Sequence, residues 1–471
     1  MGKLRDLTET IVSSWAFPAL FGILSFFGWV TKFAWPFAIA EAILCFLPLI
    51  TMTGRAYQAP LIMFVPIISE NISFSNIPVY CYIVLIAYVA SLVAYIAINR
   101  CKFKTSFPFF AFLSLILVFL ISCIISIVKT EQYVSSAIFF VIGMLLVLMI
   151  ATLNCDVIEE HKDSFSYLSK CLAMLSILIS LEIFSYYIWN PNDLFAETFQ
   201  LGWANTKSMV STIMTLCLAS YGTLIFHKKI ESITSIISLI GILLLANPSG
   251  LLTMIIGFIP LILISFRSYG KAYPYISLGL CCSFVAIFAI LLGYVSGFRE
   301  LFIESIKSLN PSASINSQLY NYGIEGFKSN PLFGPSAQGL VGTFAGSTTL
   351  EGTITPLRNT LVTTLYMGGV IGLIAWIICE ISVYSTCFLR KSQDKWVFLF
   401  MLLVSDFIGI TDNSLFNLYF LGIYLLSISA FQNSFLYSKV KINDRYYSLT
   451  TKNNYCCLLY TSPSPRDRTR S

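Results

Sequence analysis

Long apolar runs alternate with short polar breaks along most of the chain. The runs cover 11–30, 34–52, 59–70, 79–98, 107–128, 135–153, 171–189, 208–226, 231–247, 250–266, 274–296, 360–386, 396–411 and 414–434. Most reach the roughly 20 residues that, at about 1.5 Å of rise each, carry a helix across a hydrocarbon core of about 30 Å. Runs such as "FFVIGMLLVLMIA" show no period-two alternation, which argues against the strands of a membrane barrel. The pattern therefore predicts an all-α polytopic membrane protein with about 12–14 transmembrane helices. The run 59–70 is short for a full crossing and fits a re-entrant or tilted segment, although the charge pattern favours a crossing there.

Two polar intervals stand out, 189–208 and the long interval 296–359, and both are expected to be external loops. The longer one contains "EGFKSNPLFGPSAQGL" at 325–340, in which Pro331, Gly334 and Pro335 restrict or redirect the backbone. It opens with "GFRELFIESIKSL", a short amphipathic helix by spacing. Phe298, Leu301, Phe302, Ile306 and Leu309 form its apolar side, suited to lying on a membrane surface.

Composition agrees. Of 471 residues, 57% are hydrophobic and 11% charged, and the mean hydropathy is +0.79, outside the balance of soluble domains. Charge sets the expected orientation. Lys3, Arg5, Arg55, Arg100, Lys102, Lys104, Lys162, Lys170, Lys228, Lys229, Arg267, Lys271, Arg390, Lys391 and Lys395 fall on one side, against Lys32, Lys129, Lys207, Arg299, Lys307, Lys328 and Arg358 on the other. That excess places both termini in the cytoplasm. The net charge of +6 is this ordinary excess and does not suggest nucleic acid, which needs a clustered basic face. The first run reads as a retained anchor, since no clear small-residue cleavage site follows Val30. None of the thirteen cysteines falls in the two larger external loops, so no disulfide framework, metal site or cofactor is suggested. The expected organisation is a transmembrane domain over 1–435, a cytoplasmic tail over 436–455 and a non-native tail over 456–471. That last stretch, "CCLLYTSPSPRDRTRS", is similar to a translated adaptor; a disordered basic tail is the alternative.

"LGWANTKSMVSTIMTLCLA", "LLLANPSGLLTMIIGF", "INSQLYNYGIEGFKSNPLFG" and "RNTLVTTLYMGGVIGLIAW" follow one another over roughly 195–380. In this order they resemble the O-antigen polymerase and O-antigen ligase superfamily of bacterial membrane proteins. The most specific piece is "NPLFG" some two dozen residues before a glycine-bearing transmembrane helix. The resemblance implies transfer of a glycan from a polyprenyl-pyrophosphate carrier to another glycan or lipid at the external face of the inner membrane. It implies as partners that lipid-linked oligosaccharide, membrane lipids and a chain-length regulator protein. Departures are visible as well. "NPSG" at 247–250 carries no arginine, Asn316 stands where an arginine is common, and the His-Asn pair of ligase-like members reads Arg358 and Asn359. The two histidines, His161 and His227, lie on expected cytoplasmic loops, which favours a polymerase over a ligase. A lipid-linked oligosaccharide flippase or other transporter remains the rival from another class.

Such chemistry needs cations or oriented N–H groups to meet the negative charge building on a departing pyrophosphate. Arg358, just before a helix N-terminus, is the first candidate; an interfacial arginine snorkelling to head groups fits the same position. Lys328, Arg299, Asn205, Trp203, Asn359 and Gly334 are candidate substrate-binding positions, and Glu325, Glu351 or Glu304 would serve as a general base, each with a solvated-loop reading beside it. Trp203, Trp189 and Tyr186 fit sugar stacking or an ordinary aromatic belt at the outer mouth. Asp406 and Asp412 are expected near the outer end of a span. Glu41, Glu182 and Glu380 lie within spans, where a carboxyl group normally faces a partner or a cavity.

Overall fold

Proline breaks the second and third apolar runs. A computed structural model describes residues 2–51, 54–70, 78–99, 107–129, 143–145, 147–148, 164–195, 199–204, 207–221, 229–245, 247, 250–251, 254, 273–309, 315–335, 347–350, 353–357, 359–389, 394–411 and 419–430. Helix α1 (Gly2–Ser13) meets α2 (Ala16–Thr31) at a bend of 65°. The second run divides into α3 (Trp35–Leu44) and α4 (Leu47–Ile50), because Pro48 has no N–H to offer the Leu44 carbonyl. The third is broken further into a 3₁₀ turn at Gly54–Tyr57, α5 (Gln58–Met63) and a second 3₁₀ turn at Val65–Ile67, with Pro60 and Pro66 inside it.

Continuous helices follow: α6 (Val79–Asn99), α7 (Phe107–Lys129), α8 (Ser164–Trp189), α9 (Lys207–Tyr221), α10 (Lys229–Leu245) and α11 (Tyr273–Tyr294). The long polar interval holds α12 (Ser296–Leu309) and α13 (Ile315–Ser329). It also holds an antiparallel ladder of β1 (Ser347–Leu350) and β2 (Thr353–Pro356), paired from Ser347 opposite Pro356 to Leu350 opposite Thr353. Then come α14 (Thr360–Phe388), α15 (Asp394–Thr411) and α16 (Tyr419–Ala430). The architecture is all-α, and this small ladder is the only sheet among the described residues.

Four helices, Val79–Ile98, Phe107–Ile125, Ser166–Trp189 and Thr360–Phe388, are long and apolar enough to span a membrane, and the bent α1–α2 pair makes a fifth. The remaining described apolar helices are shorter, at 10–17 residues. Expected spans at 135–153 and 250–266 fall almost wholly outside the described residues, as do the tails at 436–455 and 456–471.

The broken third segment runs alongside α2 in the same direction. Arg55 donates from its guanidinium to Ser13 Oγ at 3.2 Å, the Met63 carbonyl lies 2.7 Å from Ser25 Oγ, and Ile67 presses on Gly28, where a Cβ would come within 2.6 Å of its side chain. It therefore follows α2 at Ser25 and Gly28, with Arg55 reaching the end of α1, as a segment in pieces whose residues are mostly buried in protein. Irregular backbone is tolerated at membrane depth only under such cover. At the far end Trp29 donates its indole N–H to the Leu201 carbonyl at 2.7 Å and stacks on Trp189 at 5.8 Å, while Trp35 meets Tyr80 at 6.0 Å. The C-termini of α2 and α8, the N-termini of α3 and α6 and the 201–204 turn thus share one end of the bundle.

Small polar residues draw the helices together where lipid supplies no hydrophobic drive. Ser176 and Ser238 hydroxyls bond at 2.6 Å between α8 and α10. Glu41, fully buried, has its Oε1 2.6 Å from Ser25 Oγ, so one serine ties α2 both to this carboxyl group and to the broken segment. Ser25→Ala strips both contacts at once. It is expected to destabilise the protein by about 1–3 kcal/mol, read as a lower midpoint of thermal unfolding in detergent, whereas Ser283→Ala on the exposed face of α11 should leave that midpoint unchanged.

Candidate functional site

The "NPLFG" stretch enters a break in α14. At Gly369 the helix leaves helical geometry (φ 60°, ψ −155°), a region open essentially to glycine alone. The break frees two amide groups, and the loop takes them: Val370 N–H donates to the Pro331 carbonyl at 2.9 Å and Ile371 N–H to the Leu332 carbonyl at 3.3 Å. Gly334, at φ 69°, closes the loop by donating its N–H to the Asn330 carbonyl at 2.7 Å, and Asn330 Nδ2 returns a bond to the Gly334 carbonyl at 3.0 Å. From α7, the Ser122 hydroxyl donates to the Phe333 carbonyl.

Both glycines are also contact points. A Cβ on Gly334 would lie 2.2 Å from the Tyr366 carbonyl oxygen, and one on Gly369 would lie 2.3 Å from that of Leu332. Gly369 stands nine residues into α14 and Ser122 seven before the end of α7. The loop therefore reaches about 10–14 Å below the helix ends.

Helix α13 forms the wall above it. Its Leu319, Gly323 and Gly326 side packs on α14, with Tyr322 stacked on Tyr366 at 5.7 Å and their hydroxyls 3.2 Å apart. Its other side exposes Asn321, Glu325, Lys328 and Ser329. At the loop below, Leu332 is 61% exposed. Exposed polar residues of both charge signs thus lead directly into an exposed leucine.

The N-terminus of α14 is capped by Asn359, whose Oδ1 accepts from the N–H groups of Leu361 at 2.9 Å and Val362 at 3.1 Å. That expected substrate-binding oxygen is thus committed to the helix. Arg358, Glu351 and Asn205 lie outside the described residues, as do Asp412, His161 and His227. Arg299 and Glu300 are exposed on α12, which anchors through Phe298 and Phe302 against Phe288 of α11 at 5.8 and 5.4 Å. Helix α12 also touches the 3₁₀ turn at Pro191–Phe195, joining the two polar intervals into one layer.

Trp203 differs from its expected place at an open mouth. It is buried, donates its indole N–H to Glu182 Oε2 at 2.9 Å and meets Tyr419 edge-on at 6.0 Å, so its ring is not free to stack on a sugar. Burial wins here because the indole offers a donor to a carboxyl group that the bundle has already enclosed. Lys207 was not singled out from sequence. It is buried at the start of α9, donating to the carbonyls of Leu194 at 2.9 Å and Asp193 at 3.3 Å, with its ammonium 5.9 Å from the Tyr187 ring centre. Tyr186 donates its hydroxyl to Asp193 Oδ2 at 2.8 Å. Asp406 lies in the second half of α15 and accepts from Tyr384. No group of three or more His, Cys, Asp or Glu side chains placed to share a metal ion occurs among the described residues.

No protein-family model matches the chain, and no curated relative matches it. The geometry at the α14 break can therefore be tested on its own terms. Gly369→Ala forces a side chain into a glycine-only conformation and against the Leu332 backbone. It should cost about 1–3 kcal/mol and lower the thermal midpoint in detergent, while Gly279→Ala, with open space around it, should not.

Proposed function

We propose that this protein polymerises polyprenyl-pyrophosphate-linked oligosaccharide units into surface polysaccharide, as a membrane glycosyltransferase at the external face of a bacterial inner membrane with both its termini in the cytoplasm. The observation that carries the reading is the polar face of α13 set over the inserted loop and the apolar Leu332. A lipid-linked glycan has the same division: a polar sugar-pyrophosphate head on an apolar tail. A loop held at membrane depth by backbone bonds suits a substrate whose reacting bond lies at that boundary.

In this reading an acceptor hydroxyl attacks the anomeric carbon of the carrier-linked sugar, and the pyrophosphate leaves with the bonding electrons. Cations stabilise the leaving charge. Arg358 precedes the Asn359 cap, where the first N–H groups of α14 and the positive end of its dipole also favour an anion. Lys328 and Arg299 are exposed for further phosphate or sugar contacts, and Glu325, one turn from Lys328, is available to take the acceptor proton. Ligase-type transfer to a lipid or wall acceptor would use the same parts.

A lipid-linked oligosaccharide transporter is the second reading, favoured by the fully buried Glu41 and Glu182. The two differ in what they make: a polymerase lengthens glycan, a transporter does not. Arg358→Ala, at matched membrane expression, should cut the polymerisation rate by on the order of a hundred- to thousandfold, equal to about 2.7–4 kcal/mol. Arg358→Lys should recover part of it, keeping charge without the planar fork. Glycan chain length measured on gels is the readout, and unchanged length in the alanine variant would assign Arg358 to the lipid interface instead.

A further inference from the structure

Away from the external layer, the last three helices enclose a second polar site. Glu380 and Tyr384 stand four residues apart on α14, hence on one face. The Tyr384 hydroxyl donates to Asp406 Oδ2 on α15, which brings the two carboxyl groups within about a helical turn of each other. From α16, Tyr424 is 1% exposed, its hydroxyl has no hydrogen-bond partner, and it lies within electrostatic reach of Glu380, Asp406 and Tyr384. Both oxygens of Glu380 are likewise shielded from solvent and without a partner.

No Lys, Arg or His among the described residues pairs with either carboxyl group; the other titratable neighbours are the thiols Cys379 and Cys387. Three oxygens shielded from solvent and without a hydrogen-bond partner thus stand beside a second carboxyl group. Buried carboxyl oxygens of this kind are satisfied by a proton or by a bound cation. We infer that Glu380, Asp406 and Tyr424 bind one alkali-metal cation, with Tyr384 positioning Asp406.

Oxygen-only donors favour hard ions over zinc or copper. Magnesium keeps several of its waters, and calcium asks for six to eight oxygens, more than this site supplies. A monovalent ion of the sodium kind, taking the place of the proton on one carboxyl group while the other keeps its own, leaves the site neutral and suits the few donors present. The site rests on its own residues and is independent of the polymerase reading.

The full chain in lipid nanodiscs, with sodium chloride replacing choline chloride at constant ionic strength, provides the test. The thermal midpoint should rise saturably by several degrees with sodium, and the sodium concentration giving half the rise should increase as pH falls. Glu380→Gln should abolish the rise, whereas Glu41→Gln should retain it. Tyr424→Phe, a smaller change that preserves packing, should raise the half-saturating concentration several-fold. Absence of any alkali dependence in the unaltered protein, its persistence in Glu380→Gln, or a response to magnesium alone would each overturn the assignment.

Discussion

A backbone amide in lipid must have a partner, and the insertion of the 330–335 loop into α14 follows from that constraint. Breaking α14 at Gly369 exposes the N–H groups of Val370 and Ile371, and in hydrocarbon each would cost several kcal/mol if left alone. The Pro331 and Leu332 carbonyls satisfy them, while Ser122 and Asn330 satisfy the loop's own groups. Loop and break are thus one unit, since neither is stable at this depth without the other. Helix α13 stays over it because Gly323 and Gly326 let its backbone approach Val362 and Tyr366.

The same rule governs the rest of the bundle. The broken segment at 54–67 gives the Ile62 carbonyl to Tyr419 at 2.6 Å and the Met63 carbonyl to Ser25. Trp29 reaches from α2 to the Leu201 carbonyl, and Trp203 from the same turn to Glu182. Polar contacts of this kind fix the register between helices that apolar packing alone leaves free to slide. They also tie the 199–204 segment to the bundle, and with it the turn that α12 touches.

Much of the helix layout was legible because lipid demands long apolar runs: α6, α7, α8 and α14 fall where hydropathy places them. The breaks were readable in part. Pro48, Pro60 and Pro66 mark the divided runs, and "NPLFG" drew attention as turn chemistry, but its partner lay in "MGGVIG", with the bonded residues 39 positions apart, in a run that reads as an uninterrupted span. A glycine in a transmembrane helix reads equally as a packing site, so the positive φ at Gly369 had no separate signal. Trp203 misled, and Lys207 went unremarked, for a related reason. Aromatic and basic residues near a span end look interfacial, and only the fold reveals that the 199–204 segment turns inward and that Lys207 caps the 3₁₀ turn with its ammonium. Long-range pairing, here over 211 residues for Ser122 and Phe333, leaves no trace in local pattern.

The layer of α12, α13 and the Pro191–Phe195 turn meets the inserted loop at a boundary between polar and apolar surfaces, which is where, in the proposed reading, a lipid-linked glycan would present its reacting bond. Polymerisation is the central claim, and it predicts a specific product defect. Chemical analysis of the surface glycan from a strain lacking this protein tests it most directly. The account predicts glycan capped by a single repeat unit, returning to long chains when the gene is restored. Long chains persisting without the protein, or repeat units stranded on their carrier at the cytoplasmic side, would contradict it.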